Sequence, residues 1–155
     1  MTLHLVRHAI AGIRGTWTDG GDFERPLTDE GQAQAQSLVD WFAPRPVERI
    51  WSSQALRCRQ TVAPLAEARS LSVDVRDELT EGGRAGTLLE LVRETVQSEG
   101  DSVLCSHGDL IPEVLNYLLR EGMTITGGRG CERGSIWSLE ARGRDIVSGT
   151  YTAQP

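Results

Sequence analysis

Apolar residues in this chain recur with two different periods. Short runs suited to buried strands occur at residues 2–6 ("TLHLV"), 47–51 ("VERIW"), 71–75 ("LSVDV") and 102–106 ("SVLCS"). Between them the spacing lengthens to that of amphipathic helices. Ala35, Leu38, Val39 and Phe42 form one stripe of a helix that opens at Thr28 as N-cap. Asp29 and Glu30 occupy its first turn, and "PRP" at 44–46 stops it. Residues 52–68 read as a second helix, capped by Ser52 or Ser53 and kinked or divided at Pro64. Thr87 and Glu90 have the T-x-x-E form of a capping box and predict a third helix starting there. A fourth runs from about Leu110 to Arg120, with Pro112 tolerated in its first turn and Asp109 as its cap. Residues 134–141 and 145–151 close the chain as a pair of strands.

Strands alternating with helices predict an α/β domain spanning 1–155. It should be a three-layer α/β/α arrangement around a mostly parallel sheet. Ligands of such sheets sit beyond the carboxyl ends of the strands. Three polar clusters fall at those ends: Arg7 and His8, then Ser52, Ser53 and Arg57, then Ser106, His107 and Gly108. The segment 9–27, rich in glycine, is a connection long enough to be functional in itself.

Composition narrows the chemistry. The net charge is −6, which argues against a nucleic-acid surface and makes any anion site a local cluster. The 16 cationic side chains are all arginine, the residue best shaped for bidentate phosphate contacts. With no lysine there is no Walker loop. A Cys-x5-Arg phosphatase loop is excluded, because Pro64, Ile111 and Trp137 stand six residues beyond the three cysteines. Neither the cysteines nor the three histidines have metal-ligand spacing, so no metal and no other cofactor is expected. No leader pattern or apolar span is evident, and a cytoplasmic protein without membrane contact is the expectation.

Taken singly, each cluster has an ordinary structural explanation. His4 alternates with Leu3 and Leu5 and reads as a structural histidine. Cys105 reads as a small core residue, and Trp17 as a loop anchor or a pocket wall. Jointly, two arginines and two histidines at neighbouring strand ends define a cationic pocket suited to a phosphoryl group, with one histidine able to attack phosphorus. Arg7 beside His8 disfavours the protonated imidazole and keeps the nucleophile available.

These residues resemble the histidine phosphatase superfamily, the group that includes the phosphoglycerate mutases. "LVRHA" stands where that family has Arg-His-Gly, with Ala9 in place of the usual glycine. "SSQALRCRQT", "SHGD" and "RPLTDEGQAQA" are similar to its other segments, in the same order. The likeness is greatest to compact bacterial phosphohistidine phosphatases. It extends to the phosphatase-like half of some actinobacterial Nudix fusions, although no Nudix box is present here.

The resemblance implies a phosphoglycerate mutase-like fold and a metal-independent phosphatase. His8 would be the nucleophile, with Arg7, Arg57 and His107 holding the phosphoryl oxygens. Glu81 would be the proton donor, with Glu78 as its rival. The substrate would be a phosphohistidine on a partner protein or a small phosphoester. A nucleotide phosphohydrolase of the same mechanism and a non-catalytic phosphate-binding module are the alternatives.

Overall fold

A computed structural model describes every residue except 16, 18 and 19. Among the described residues seven strands form one sheet in the order β3-β2-β4-β1-β6-β7-β5. The strands are β1 (Thr2–Arg7), β2 (Val47–Ser52), β3 (Val73–Val75), β4 (Asp101–Ser106), β5 (Thr124–Thr126), β6 (Ile136–Arg142) and β7 (Asp145–Thr152). The helices are α1 (Asp29–Phe42), α2 (Leu56–Arg69), α3 (Ala85–Thr95) and α4 (Ile111–Arg120). Strands β3, β2, β4 and β1 run parallel, whereas β6 pairs antiparallel with both β1 and β7.

Period-two alternation in β1 sorts its side chains between two cores. Leu3 and Leu5 pack with α3, α4, Leu104 and Trp137. Val6 packs on the opposite face with Leu38, Phe42, Val62, Val103 and Cys105. Helices therefore cover both faces of the sheet, as the sequence pattern predicts. Burying both faces is also why β1 and β4 carry Val or Leu on either side.

Helix α1 starts as expected, with Thr28 Oγ1 accepting from Gly31 N at 3.1 Å. Gly31 is required there: a Cβ at this position would come within 1.9 Å of the Ile10 carbonyl oxygen.

Several local expectations are corrected. Helix α2 is a single element with Pro64 inside it, so the proline does not divide it. Burial of Thr61, Val62, Leu65 and Ala66 on its inner face compensates for the lost N–H. Its cap position is Ala55, not Ser52 or Ser53, because Ser52 still belongs to β2. Helix α3 begins at Ala85, so Thr87 lies inside its first turn and forms no capping box. Asp109 does not cap α4. Leu110 holds that position, and the Asp109 carboxylate accepts instead from Gly82 N at 2.8 Å. Strand β5 had no signal in the pattern.

Candidate active site

Sheet register brings the three polar clusters together. Arg7 at the end of β1 is level with Ser106 at the end of β4. His8 N donates to Ser106 O at 3.1 Å, and Ser53 N donates to Cys105 O at 3.0 Å. Turns after three adjacent strands thus converge, and the His8 and His107 ring centroids lie 5.4 Å apart.

His8 is held in one orientation. Its Nδ1 lies 2.8 Å from Ala9 O, a carbonyl that can only accept, so Nδ1 carries the hydrogen. The Nε2 atom is then the free lone pair, and His8 lines the pocket. Ala9 N in turn donates to Thr61 Oγ1 at 2.9 Å, and that hydroxyl donates to Arg57 O at 2.6 Å. One buried threonine therefore ties the turn that bears His8 to the helix that bears Arg57. Ala9 is fully buried in a small cluster with Leu27 and Ala35, which accommodates its methyl group.

Burial is the principal reason that the His8 pKa falls to about 3, with the hydrogen bond to Ala9 opposing it. His107, Arg57 and Arg7 lower it further, in that order of importance. Arg7 acts in the direction expected from sequence but is the weakest of these causes.

Arg57 and His107 are not among the residues that line the pocket, and neither has any exposed surface. Arg57 Nη2 lies 2.8 Å from Glu81 Oε2 and 3.4 Å from His107 Nδ1, while Nη1 donates to Asp22 O at 3.0 Å. His107 Nε2 lies 2.9 Å from Ser53 Oγ. Two guanidinium nitrogens, Arg7 Nε and Arg57 Nε, are buried with no protein partner. Buried donors of this kind match the oxygens of an anion. Arg7 lies flat against Gly108, where a Cβ would come within 2.6 Å of its Cζ. The glycine after His107 thus makes room for the first arginine.

Glu81 reaches the pocket, its carboxylate bridging Arg57 and Arg14. Glu78 does not line the pocket, and pairs with Arg76 at 2.9 Å. Trp17 is not among the described residues that line it. The lining holds about 380 Å³ and includes Arg14, Arg25 and Arg133, none of which the sequence marked as site residues. Arg25 could have been suspected, since it begins the "RPLT" segment. Arg14 and Arg133 sit in loops with no local pattern. Among the described residues no group of three or more His, Cys, Asp or Glu side chains is placed to hold a metal ion.

Fold and site together define a parallel-sheet α/β protein with a neutral imidazole on a pocket whose lining includes four arginines. Residues 3–94 match the family model described as the histidine phosphatase superfamily, branch 1. The chain belongs to that superfamily.

It is 28% identical over 157 aligned residues to an 8-oxo-(d)GTP phosphatase of Mycolicibacterium smegmatis. The match covers 99% of this chain and 48% of that protein, so the chain spans about half the length of this relative. Its fold is shared with the protein histidine phosphatase SixA solved with tungstate, at a TM-score of 0.77 and 23% identity over 99% of this chain and 96% of that one. A mycobacterial glucosyl-3-phosphoglycerate phosphatase has the same fold, at a TM-score of 0.71 and 21% identity over 98% and 97% of the two chains.

Proposed function

We propose that the chain hydrolyses a phosphate derivative through a phosphohistidine at His8, without a metal. The observation that carries this reading is the hydrogen bond from His8 Nδ1 to Ala9 O, which leaves Nε2 unprotonated and facing the pocket. Nε2 attacks phosphorus as the bond to the leaving group breaks. Arg7, Arg57 and His107 hold the phosphoryl oxygens as charge develops on them. When the incoming phosphate displaces it from Arg57 and it takes up a proton, Glu81 gives that proton to the departing atom. It then takes one from the water that cleaves the N–P bond, which returns His8 and releases phosphate. The arginines supply the positive charge that a metal would otherwise contribute.

The substrate is a phosphorylated small molecule or a phosphohistidine on a protein. A cytoplasmic setting is supported by three unpaired cysteines, and among the described residues no helix is long and apolar enough to cross a membrane.

The test is to trap the intermediate. Rapid acid-free quenching with a ³²P-labelled substrate should yield a phosphoenzyme that is labile to acid and stable to alkali, as a phosphoramidate is. His8→Ala should abolish it, and His107→Ala should slow its formation without moving the label. Multiple turnovers by His8→Ala at a near wild-type rate would refute the assignment and favour direct attack by water.

A further inference from the structure

The phosphoryl cradle does not account for all the charge around the pocket. Four arginines line it (Arg7, Arg14, Arg25 and Arg133) against two carboxylates, Glu81 and Asp109. Arg7 belongs to the cradle. Arg25 is nearly fully buried, with its Nε on Asp22 at 3.0 Å and its Nη1 on the Gly12 carbonyl. Arg14 is paired with Glu81. Among the described residues the Arg133 guanidinium makes no hydrogen bond or ion pair, and it lines the same small cavity.

The placement of Arg133 is set by the backbone. The next residue, Gly134, donates its N–H to both Arg7 O and His8 O at 3.1 Å, and the Arg133 carbonyl accepts from Gln34 Nε2 at 3.3 Å. Arg7 Nη1 donates to Cys131 O, so the segment 131–134 is fastened to the end of β1 from two sides. Arg133 therefore stands beside the nucleophile on an anchored stretch of chain.

The rest of the wall offers little to a neutral or aromatic group. Its uncharged members are Ala11, Gly12, Ile13 and Gly108. A cavity of about 380 Å³ is near the lower end for ligand sites. A leaving group held here is small and is held through charge.

We infer that Arg133, assisted by Arg14, forms a second anion subsite, and that the substrate is a small phosphate derivative whose leaving group carries its own carboxylate or phosphate. This rests on the reading of the cradle given above. It separates the two substrate classes left open there, because a phosphohistidine side chain departs as a neutral imidazole and makes no use of Arg133.

Matched substrates test it, each pair differing by one anionic group in the leaving group. Glycerol 3-phosphate against 3-phosphoglycerate adds a carboxylate, and thymidine monophosphate against thymidine diphosphate adds a phosphate. In at least one pair the anionic member should have a kcat/KM roughly 10-fold or more above its partner, the size of one added hydrogen bond between charged groups. The pair that responds identifies the anion. Arg133→Gln should remove the preference mainly through KM of the anionic member.

Equal kcat/KM within both pairs overturns the inference, as does a preference that survives Arg133→Gln. Faster turnover of a phosphohistidine peptide than of every anionic member also overturns it. Nitrophenyl phosphate tests the cradle separately, and a folded protein that never cleaves it defeats the phosphatase chemistry alone. The subsite is then read by calorimetry with pyrophosphate and phosphate. Pyrophosphate should bind more tightly to the wild type, and Arg133→Gln should erase the difference; equal binding to both proteins overturns the subsite.

Discussion

His4 lies within the central strand β1 and His8 just past its end, four residues on, and both are almost completely buried. Burial lowers both pKa values, to about 4 for His4 and about 3 for His8. What surrounds them differs. His4 Nδ1 meets Ser138 Oγ at 2.9 Å, while its ring stands edge-on to Trp41 and Phe42. Its Nε2 is sealed in, without a partner. His8 has the same neutral ring, but its Nδ1 is fixed by a carbonyl, its Nε2 opens on a cavity, and Arg7 and Arg57 lie close by. A lowered pKa is thus common to a packing residue and the proposed nucleophile. His4 too has a cationic neighbour, Arg45, so the difference lies in an Nε2 that is not sealed and in two arginines beside it instead of one.

The largest expected effect separates the two directly. His8→Ala should lower kcat by roughly 10⁴-fold or more, as loss of a covalent nucleophile does. His4→Ala should leave kcat within about twofold and instead destabilise the fold by about 1–3 kcal/mol, read from urea denaturation. Comparable losses of kcat in both variants would dissolve the contrast.

Arg57→Ala removes one of the two arginines that act on His8, where His4 has Arg45. It should cost roughly 2–4 kcal/mol of transition-state stabilisation, measured as kcat/KM with nitrophenyl phosphate. It should also lower the denaturation midpoint, because Glu81 and Asp22 lose a fully buried partner. An unchanged kcat/KM would place the phosphoryl group elsewhere.

The shared property has its own test. The unfolded chain takes up a proton at each histidine below about pH 6.5, whereas the folded chain keeps His4 neutral to about 4 and His8 to about 3. Between those values the unfolded state binds more protons, so stability rises with pH and is lost as pH falls from 6.5 towards 3. Denaturation midpoints at pH 7 and pH 4.5 should differ, and His4→Phe should shrink the difference by on the order of 2 to 3 kcal/mol. The same depression keeps Nε2 of His8 free, so its protonation should not produce an acid limb in kcat/KM near pH 6.5.

Thr61→Val tests orientation, the finer part of the contrast. Losing the hydroxyl that accepts from Ala9 N should slow turnover by roughly tenfold through a slightly misaimed His8. A chemical-shift measurement on the labelled imidazole should report a less uniform tautomer. The smallest expected effect is that of EDTA, which should leave kcat within error, since the arginines already carry the charge. Complete loss restored by a divalent metal would reject the metal-free reaction.

The locally determined parts of this fold are legible in the amino-acid sequence. Short apolar runs mark β1, β2 and β4, and Thr28 is marked by its place before a helical stripe. Arg7, His8, Arg57 and His107 can be grouped because a parallel sheet gathers the ends of its strands. What escapes is decided by contacts distant in sequence. Asp109 looks like a cap until the Gly82 N–H arrives from another turn. Thr87 and Glu90 have a capping pattern, but helix α3 starts two residues earlier. Arg133 carries no signal of its own, and only the bond from Gly134 to the end of β1 brings it to the pocket. Even the burial of Arg57 is hidden, since an arginine one residue into a helix usually projects into water.

That burial has a thermodynamic consequence. Arg57 is the largest fully buried side chain of the described residues, a cation set among core groups with its Nε unpaired. An anion seated against it finds donors that the unfolded chain does not gather in one place. Binding and folding are therefore linked by mass action: a phosphate or tungstate concentration of 100 times Kd should raise the unfolding free energy by about 2.7 kcal/mol. Ligand affinity can then be read from melting temperature alone, with no substrate in hand. Inhibitory anions should protect the chain from proteolysis in the order in which they bind.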